Sequence, residues 1–219
     1  RIFAAAYSPD GSRIISGGGF RDKTIRIWSV TRAVQRRLLR QHNVNVKQVA
    51  LDSEGVRSAS GADDGSAAIW DLTCGRPIVR LEGHRRKINK IGWAASTVLT
   101  ASQDKTARAW DAQTGHCLQI FKGHKGSVES LFVADGTLIT CSKDKTLRLW
   151  SISAGECTGV LTGHSDWVTA VAYNAGRKRV LSGSRDNTAR IWDSTTGECL
   201  LVLGGHQGWV RDVHWHPQA

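Results

Sequence analysis

Residues 128–164 read VESLFVADGTLITCSKDKTLRLWSISAGECTGVLTGH, and this stretch decides the fold. Four short β-prone runs occur in it, at 128–133, 138–142, 146–150 and 158–161. Turn signals such as Asp135-Gly136 separate the runs. Strands of about five residues, with turns about every 8–12 residues, are typical of an all-β repeat array. The stretch is therefore predicted to form one unit of four antiparallel strands.

Three residue types repeat along the chain in one register. The tryptophans are Trp28, Trp70, Trp110, Trp150 and Trp192, at spacings of 42, 40, 40 and 42 residues. The same four spacings separate the histidines His42, His84, His124, His164 and His206, and the aspartates Asp22, Asp64, Asp104, Asp144 and Asp186. A four-stranded period of about 40–45 residues is typical of a propeller blade. We predict one repeat domain over 1–219, with units at about 1–42, 43–84, 85–124, 125–164 and 165–206, and the start of another at 207–219.

Paired residues at fixed places in each unit carry a family resemblance. Gly-His pairs occur at 83–84, 123–124, 163–164 and 205–206, and Trp-Asp pairs at 70–71, 110–111 and 192–193. With these pairs the chain resembles the WD-repeat β-propeller family over essentially its whole length. Gln41-His42, Trp28-Ser29 and Trp150-Ser151 depart from the pattern, and the first unit has two extra residues near Gly17. The resemblance implies an all-β propeller of four-stranded antiparallel blades.

The strand order predicts five complete blades and the inner strand of a sixth. Residues 2–7 align with the inner strand at 168–173, and residues 210–215 repeat that strand once more. An open array exposes sheet edges, which natural proteins avoid. We therefore expect the chain to be part of a longer propeller of about seven blades, with a closed five-blade ring and a spare strand as the alternative. The lack of any Met is consistent with a fragment.

The resemblance also implies a buried hydrogen-bond chain in each blade. It links the Asp of a turn, the His, a Ser or Thr of the second strand, and the Trp. The hydroxyl members are Ser16, Ser60, Thr100, Thr140 and Ser182. A buried Trp N–H requires an acceptor, and an imidazole can donate and accept at once. Ser, His and Asp are also the members of a catalytic triad, but their fivefold repetition and the mid-strand hydroxyl favour a structural role.

Composition and motifs exclude several function classes. The chain has 219 residues, 40% hydrophobic and 22% charged, without the apolar run of about 20 residues that membrane insertion requires. Neither a Gly-x-x-x-x-Gly-Lys phosphate loop nor a zinc-type Cys-x-x-Cys pair is present. We therefore expect no catalytic residue, cofactor, metal site or small-molecule substrate. The odd count of five Cys favours a reducing compartment, so we expect an intracellular protein, cytoplasmic or nuclear.

Basic loops form the candidate binding surface. The net charge is +11, which favours acidic partners. In the family topology, the loops after each His and the turns before each Asp share one side of the propeller, which we call the loop face. The residues predicted to bind partners there are Arg21, Arg85, Arg86, Lys87, Lys125, Lys143, Trp167, Arg185 and Trp209. Trp and Arg are enriched at binding hot spots. The alternatives are packing of the two Trp rings against neighbouring blades and simple solvation of the charged loops.

Two functions remain open on these observations. The resemblance and the lack of catalytic motifs imply a non-catalytic interaction scaffold, a propeller subunit of an intracellular multiprotein complex. It would bind other proteins through its loop face and channel rim. The alternative is an RNA- or ribonucleoprotein-binding propeller, because bases of single strands can stack on aromatic rings that lie among cationic side chains.

Overall fold

The computed structural model describes residues 1–19, 22–32, 34–39 and 42–216. The described residues form twenty β-strands, and none of them is helical. No helix in these ranges could therefore cross a membrane. The chain divides into two compact units, 1–104 with 109–118 and 105–108 with 119–219.

The first unit contains two whole sheets. The first sheet consists of β1 (Ile2–Tyr7), β2 (Arg13–Gly18), β3 (Ile25–Ser29) and β4 (Val34–Leu39). The second consists of β5 (Val46–Leu51), β6 (Arg57–Ala62), β7 (Ala67–Asp71) and β8 (Arg76–Leu81). The third sheet contains the boundary between the units and consists of β9 (Ile88–Ala94), β10 (Thr97–Ser102), β11 (Thr106–Asp111) and β12 (Cys117–Lys122).

The second unit contains the last two sheets. The fourth sheet consists of β13 (Val128–Ala134), β14 (Thr137–Ser142), β15 (Leu147–Ser151) and β16 (Cys157–Leu161). The fifth consists of β17 (Val168–Asn174), β18 (Arg179–Ser184), β19 (Ala189–Asp193) and β20 (Cys199–Leu203). In every sheet the strands are hydrogen-bonded in chain order, as an antiparallel meander. We call each sheet a blade. The four strands predicted between residues 128 and 164 are confirmed, with each end displaced by at most one residue.

Within each unit, the core consists of layers between consecutive blades. Within the second unit, Ile139 and Leu161 of the fourth blade pack in one cluster with Val171 and Trp192 of the fifth. The second strand of a blade is largely buried, with five of six residues buried in the second to fifth blades. Leu138 and Ile139 of β14, for example, have no exposed surface. Burial of such side chains is the main stabilising contribution to a fold of this kind.

The segment 207–216 follows the fifth blade without forming a strand. Its Val210, Val213 and Trp215 pack on the hydrophobic cluster of the fifth blade. A Cβ built on Gly183 would lie 2.7 Å from Val210 Cγ1, so only glycine allows this close approach. The inner strand predicted at 210–215 thus has the packing expected of it but lacks strand pairing. The physical reason is that no segment in the described ranges lies beside it to complete a ladder.

Candidate interaction surface

A chain of hydrogen bonds in the fifth blade connects Trp192 to Asp186 through two buried side chains. Trp192 Nε1 donates to Ser182 Oγ at 2.8 Å, and His164 Nε2 lies 2.8 Å from the same oxygen. His164 Nδ1 lies 2.7 Å from a carboxylate oxygen of Asp186. A carboxylate can only accept, so the Nδ1–H of the neutral imidazole donates to Asp186. Nε2 then carries no hydrogen, and we assign the Ser182 hydroxyl as its donor.

The same arrangement recurs in three other blades. The equivalent residues are Trp150, Thr140, His124 and Asp144 in the fourth blade, Trp110, Thr100, His84 and Asp104 in the third, and Trp70, Ser60, His42 and Asp64 in the second. The second blade differs at one contact. His42 Nδ1 lies 3.2 Å from Ser66 Oγ, and Ser66 in turn donates to Asp64 at 2.7 Å. The link between imidazole and carboxylate there is therefore indirect.

The histidine of each chain of bonds comes from the sequence unit before the one that holds its partners. His84, for example, ends the unit 43–84, yet it contacts Thr100 and Asp104 of the next unit. The imidazole thus ties the end of one blade's outer strand to the following blade. In the first blade, Trp28 Nε1 donates to Ser16 Oγ at 2.9 Å, and these two residues with Asp22 line an open cavity of about 200 Å³. His206 is exposed.

Burial and hydrogen bonding determine the charge of these groups. Burial lowers the pKa of His164, and this outweighs the opposite influence of Asp186. Burial of Asp186 alone would raise the carboxyl pKa. Hydrogen bonds from Thr188, His164 and the Ser165 amide outweigh that penalty, so the pKa lies well below its usual range. At neutral pH the pair is therefore a neutral imidazole beside a carboxylate, held in place by hydrogen bonds.

The two loop types of the predicted loop face are joined by one repeated backbone hydrogen bond. In each case the amide of the residue before the Asp donates to the carbonyl of the third residue after the His. The four pairs are Asp63 to Asn45, Gln103 to Lys87, Lys143 to Ser127 and Arg185 to Trp167, at 2.9–3.1 Å. The second to fifth blades thus each present side chains from two loops at one place, independently of the residue types.

Four of the predicted binding residues come together in the second unit. Lys143 Nζ lies 4.0 Å from the ring centroid of Trp167. Arg185 Cζ lies 3.9 Å from the ring centroids of both Trp167 and Trp209. These distances are well within the roughly 6 Å range of cation–π attraction. We call Lys143, Trp167, Arg185 and Trp209 the cation–indole ladder. Trp209, at one end, is 50% exposed.

The other predicted binding residues lie outside the ladder. Arg85 and Arg86 are exposed and Lys87 is partly exposed, in the loop between β8 and β9 of the first unit. The exposed Lys125 uses its amide to donate to Asp144 at 2.8 Å. Arg21 lies outside the described residues. The structure therefore gives Lys143, Trp167, Arg185 and Trp209 a shared geometry that the four other described residues of the set do not share.

Two residues beside the ladder were missed by the sequence reasoning. Glu129 of β13 lies 3.7 Å from Lys143 Nζ, as an ion pair. Arg211 Cζ lies 5.9 Å from the ring of Trp209. The position of Arg211 two residues after Trp209 was a usable signal, because alternate residues of an extended chain share a side. No local signal pointed to Glu129, since its contact depends on a different loop of the same blade.

Comparison with known proteins identifies what the chain is similar to. The family model described as WD40, "WD domain, G-beta repeat", matches residues 1–29, 33–71, 75–111, 115–151, 155–193 and 197–219. Among solved structures, the crystal structure of the computationally designed Ika8 protein superposes with a TM-score of 0.90 at 30% identity. That match covers 98% of this chain and 65% of the designed one.

Three curated relatives match shorter stretches. "Small ribosomal subunit protein RACK1y" of Oryza sativa subsp. japonica is 35% identical over 75 residues, 34% of this chain and 22% of that protein. "Protein HIR1" of Phaeosphaeria nodorum is 29% identical over 117 residues, 46% of this chain and 11% of that protein. "Ribosome biogenesis protein ERB1" of Chaetomium thermophilum is 39% identical over 62 residues, 27% of this chain and 8% of that protein. The matched stretches thus span less than a quarter of these relatives.

Proposed function

This chain belongs to the WD40 repeat family, and we propose that it is a non-catalytic protein-interaction scaffold. It acts as a propeller subunit of an intracellular multiprotein complex and binds other proteins through the loops and channel rim of its blades. The observation that carries this proposal is the cation–indole ladder. It places Trp and Arg, the residue types enriched at binding hot spots, on one loop surface of the second unit.

A structural role for the Ser–His–Asp sets supports the non-catalytic part of the proposal. The hydroxyl-bearing residues Ser60, Thr100, Thr140 and Ser182 have no exposed surface. Each hydroxyl oxygen already accepts a Trp N–H at 2.8 Å. A catalytic nucleophile must instead reach a substrate beside groups that stabilise an oxyanion. Substrate has no access to these oxygens in the folded blades.

The cysteines support an intracellular location. All five lie in the described part of the chain, and no disulfide joins any of them. Proteins of oxidising compartments use cysteines mainly as disulfides, whereas reducing compartments keep thiols. Four of the five thiols are exposed, and the fifth, Cys141, is buried in the core between the last two blades.

Affinity capture with a nuclease step tests the scaffold proposal. The purified chain is immobilised and exposed to an intracellular extract, with and without nuclease. A retained protein is then purified and rebound in isolation. We expect the purified partner to rebind directly, also after nuclease treatment. Trp209→Ala should weaken this binding. Arg177→Ala, in the exposed turn between β17 and β18, should leave it unchanged. Failure of every retained protein to rebind directly would contradict a scaffold function.

RNA binding is the second candidate function, and two observations favour it. The net charge is +11, and two of the matched relatives are named for the ribosome or its biogenesis. Phosphate contacts by Lys and Arg make affinity fall steeply with salt. The test is binding of single-stranded RNA across a salt series by wild type and by a triple Ala substitution at Arg85, Arg86 and Lys87. RNA binding requires a steep log–log slope that the substitutions flatten.

A further inference from the structure

We propose that the cation–indole ladder binds an acidic segment of a partner protein, whose Asp and Glu carboxylates contact Arg185 and Lys143. This inference rests on the proposed scaffold function and specifies the partner chemistry of one surface. Arg185 is held between two indole rings, at 3.9 Å from each ring centroid. A guanidinium has five N–H donors in one plane. The rings attract the charge but accept no hydrogen bond from these donors, which remain available to a ligand.

The position of Arg185 lacks a compensating charge. None of the ion pairs in the described ranges involves this residue, and its buried Nε has no hydrogen-bond acceptor there. The nearest carboxylate in sequence, that of Asp186, already accepts hydrogen bonds from His164, Thr188 and Ser165. Partly buried cations are usually paired, and an Arg that is fixed by stacking forms charge-assisted bonds at little entropic cost. The ladder thus presents a preorganised anion-binding group.

Contacts at the other end of the ladder show that a carboxylate fits beside it. Lys143 lies against Trp167 and also pairs with Glu129 at 3.7 Å, and about a quarter of each of these two charged side chains is exposed. Solvent reaches both members of this pair, and at 3.7 Å it is a loose contact that another carboxylate can replace. Glu129 therefore acts as an internal competitor for an acidic ligand.

The same contacts disfavour RNA as the ligand of the ladder. Single-stranded RNA is held by stacking of bases on open aromatic rings. Lys143 and Arg185 both lie within 4.0 Å of the Trp167 ring centroid, so cations already occupy this ring. Trp209 has Arg185 against it and Arg211 at 5.9 Å. The groups that remain available are hydrogen-bond donors with positive charge, which match carboxylates.

Fluorescence anisotropy with defined probes tests this assignment. The probes are a labelled peptide rich in Asp and Glu, the same peptide with Asn and Gln in their place, and a labelled single-stranded RNA. The full chain is titrated at about 0.15 M salt, where the Debye length is about 8 Å. The variants are Arg185→Gln, Trp209→Ala and Glu129→Gln. Arg177→Gln is the matched control, because it removes one positive charge from an exposed turn outside the ladder. Thermal unfolding confirms that each variant is folded.

We expect the acidic peptide to bind and the amide peptide not to bind. Arg185→Gln and Trp209→Ala should each weaken acidic-peptide binding by about tenfold, as loss of a hot-spot residue does. Glu129→Gln should strengthen it by a few fold, and Arg177→Gln should change it by less than about twofold. An equal loss in Arg177→Gln would show that only net charge matters and would overturn the proposal. Tighter binding of RNA that depends on the same residues would also overturn it.

The peptide-binding experiment can fail without contradicting the scaffold proposal, so the two proposals are tested separately. If the acidic peptide does not bind but a purified protein partner still does, the ladder assignment fails and the scaffold function stands. If neither binds, both fail. If the peptide binds and Arg185→Gln weakens its binding by about tenfold while Arg177→Gln does not, the ladder assignment stands whichever complex the chain belongs to.

Discussion

His124 Nε2 lies 2.8 Å from Thr140 Oγ1, although the histidine ends one sequence repeat and the threonine belongs to the next. The same oxygen accepts the indole N–H of Trp150 at 2.8 Å. One hydroxyl group therefore satisfies two buried partners and links consecutive blades. Because His124 also contacts Asp144, three other side chains depend on the presence of this oxygen.

Thr140→Val is predicted to destabilise the protein strongly, although the two side chains have nearly the same shape. The substitution keeps the shape of the side chain and removes the oxygen, which leaves Trp150 Nε1 and His124 Nε2 unsatisfied. We expect a loss of at least about 1–3 kcal/mol in the free energy of unfolding. Urea denaturation measures it. Thr137→Val, at the partly exposed start of the same strand, is the control and should cost less than about 0.5 kcal/mol. Equal effects of both substitutions would contradict the proposed role of the oxygen.

Acidification is predicted to destabilise the fold in two stages. Burial lowers the pKa of His42 and His164 below 6.5 in the folded chain. The unfolded state therefore takes up protons first, and stability falls as the pH drops below 6.5. The pKa values of Asp144 and Asp186 lie below 3.8 in the folded chain, so further stability is lost below that pH.

Melting temperatures measured across the pH range test both stages. His164→Gln removes one of the groups responsible for the first stage. This variant should be less stable than wild type at neutral pH, but it should lose less additional stability on acidification to about pH 5. A melting temperature that stays constant between neutral pH and pH 5, or the same slope in the variant, is incompatible with the neutral imidazoles inferred from the structure.

Some features could be predicted from sequence because their signals are local. The strands between residues 128 and 164 follow from β-prone runs and turn residues within a few positions of each other, and they were placed to within one residue. The partner of each histidine could not be predicted in this way. A period of about 40 residues does not reveal whether His84 contacts its own unit or the next, since the boundary between units is a matter of convention. The structure resolves it through contacts with Thr100 and Asp104.

The contacts within the cation–indole ladder could not be predicted from local sequence either. The sequence identified Lys143, Trp167, Arg185 and Trp209 as loop residues with binding chemistry. It did not indicate that Arg185 contacts both rings, because that depends on the distance between neighbouring loops in space. Nor did it separate these residues from Arg85, Arg86 and Lys87, whose composition is just as suggestive but which belong to the other unit. Residue type could be read locally, whereas the grouping of residues could not.

Ser151→Asp is predicted to stabilise the turn after β15. At the equivalent position of other blades an Asp accepts backbone N–H groups two and three residues ahead. Asp193, for example, accepts from Thr195 at 2.8 Å and from Thr196 at 3.1 Å. Ser151 Oγ accepts only one such bond, from Ala154 at 3.3 Å. A carboxylate there completes the turn, and we expect a gain of about 0.5 kcal/mol.

Differential scanning fluorimetry measures that gain as a higher melting temperature. Ser153→Asp is the matched control. It introduces the same charge into the same exposed turn, but not at the position whose side chain accepts the turn amides. Equal shifts in the two variants would mean that charge, and not hydrogen bonding, is responsible.

Gly183→Ala is predicted to destabilise the chain by disturbing the segment 207–216. The added Cβ would lie 2.7 Å from Val210 Cγ1 and 3.0 Å from Val213 Cγ1, which is closer than side chains tolerate. We expect a cost of about 1–3 kcal/mol, typical of overpacking. Gly208→Ala is the control, because a Cβ there meets nothing within 4 Å.

A double substitution, Gly183→Ala with Val210→Ala, removes the nearest clashing methyl groups and should be less destabilising than the sum of the two single changes. Urea denaturation of the wild type, the two single variants and the double variant completes the cycle. Strict additivity would show that Val210 does not pack on Gly183 in solution, and therefore that this segment does not continue the array beyond the fifth blade.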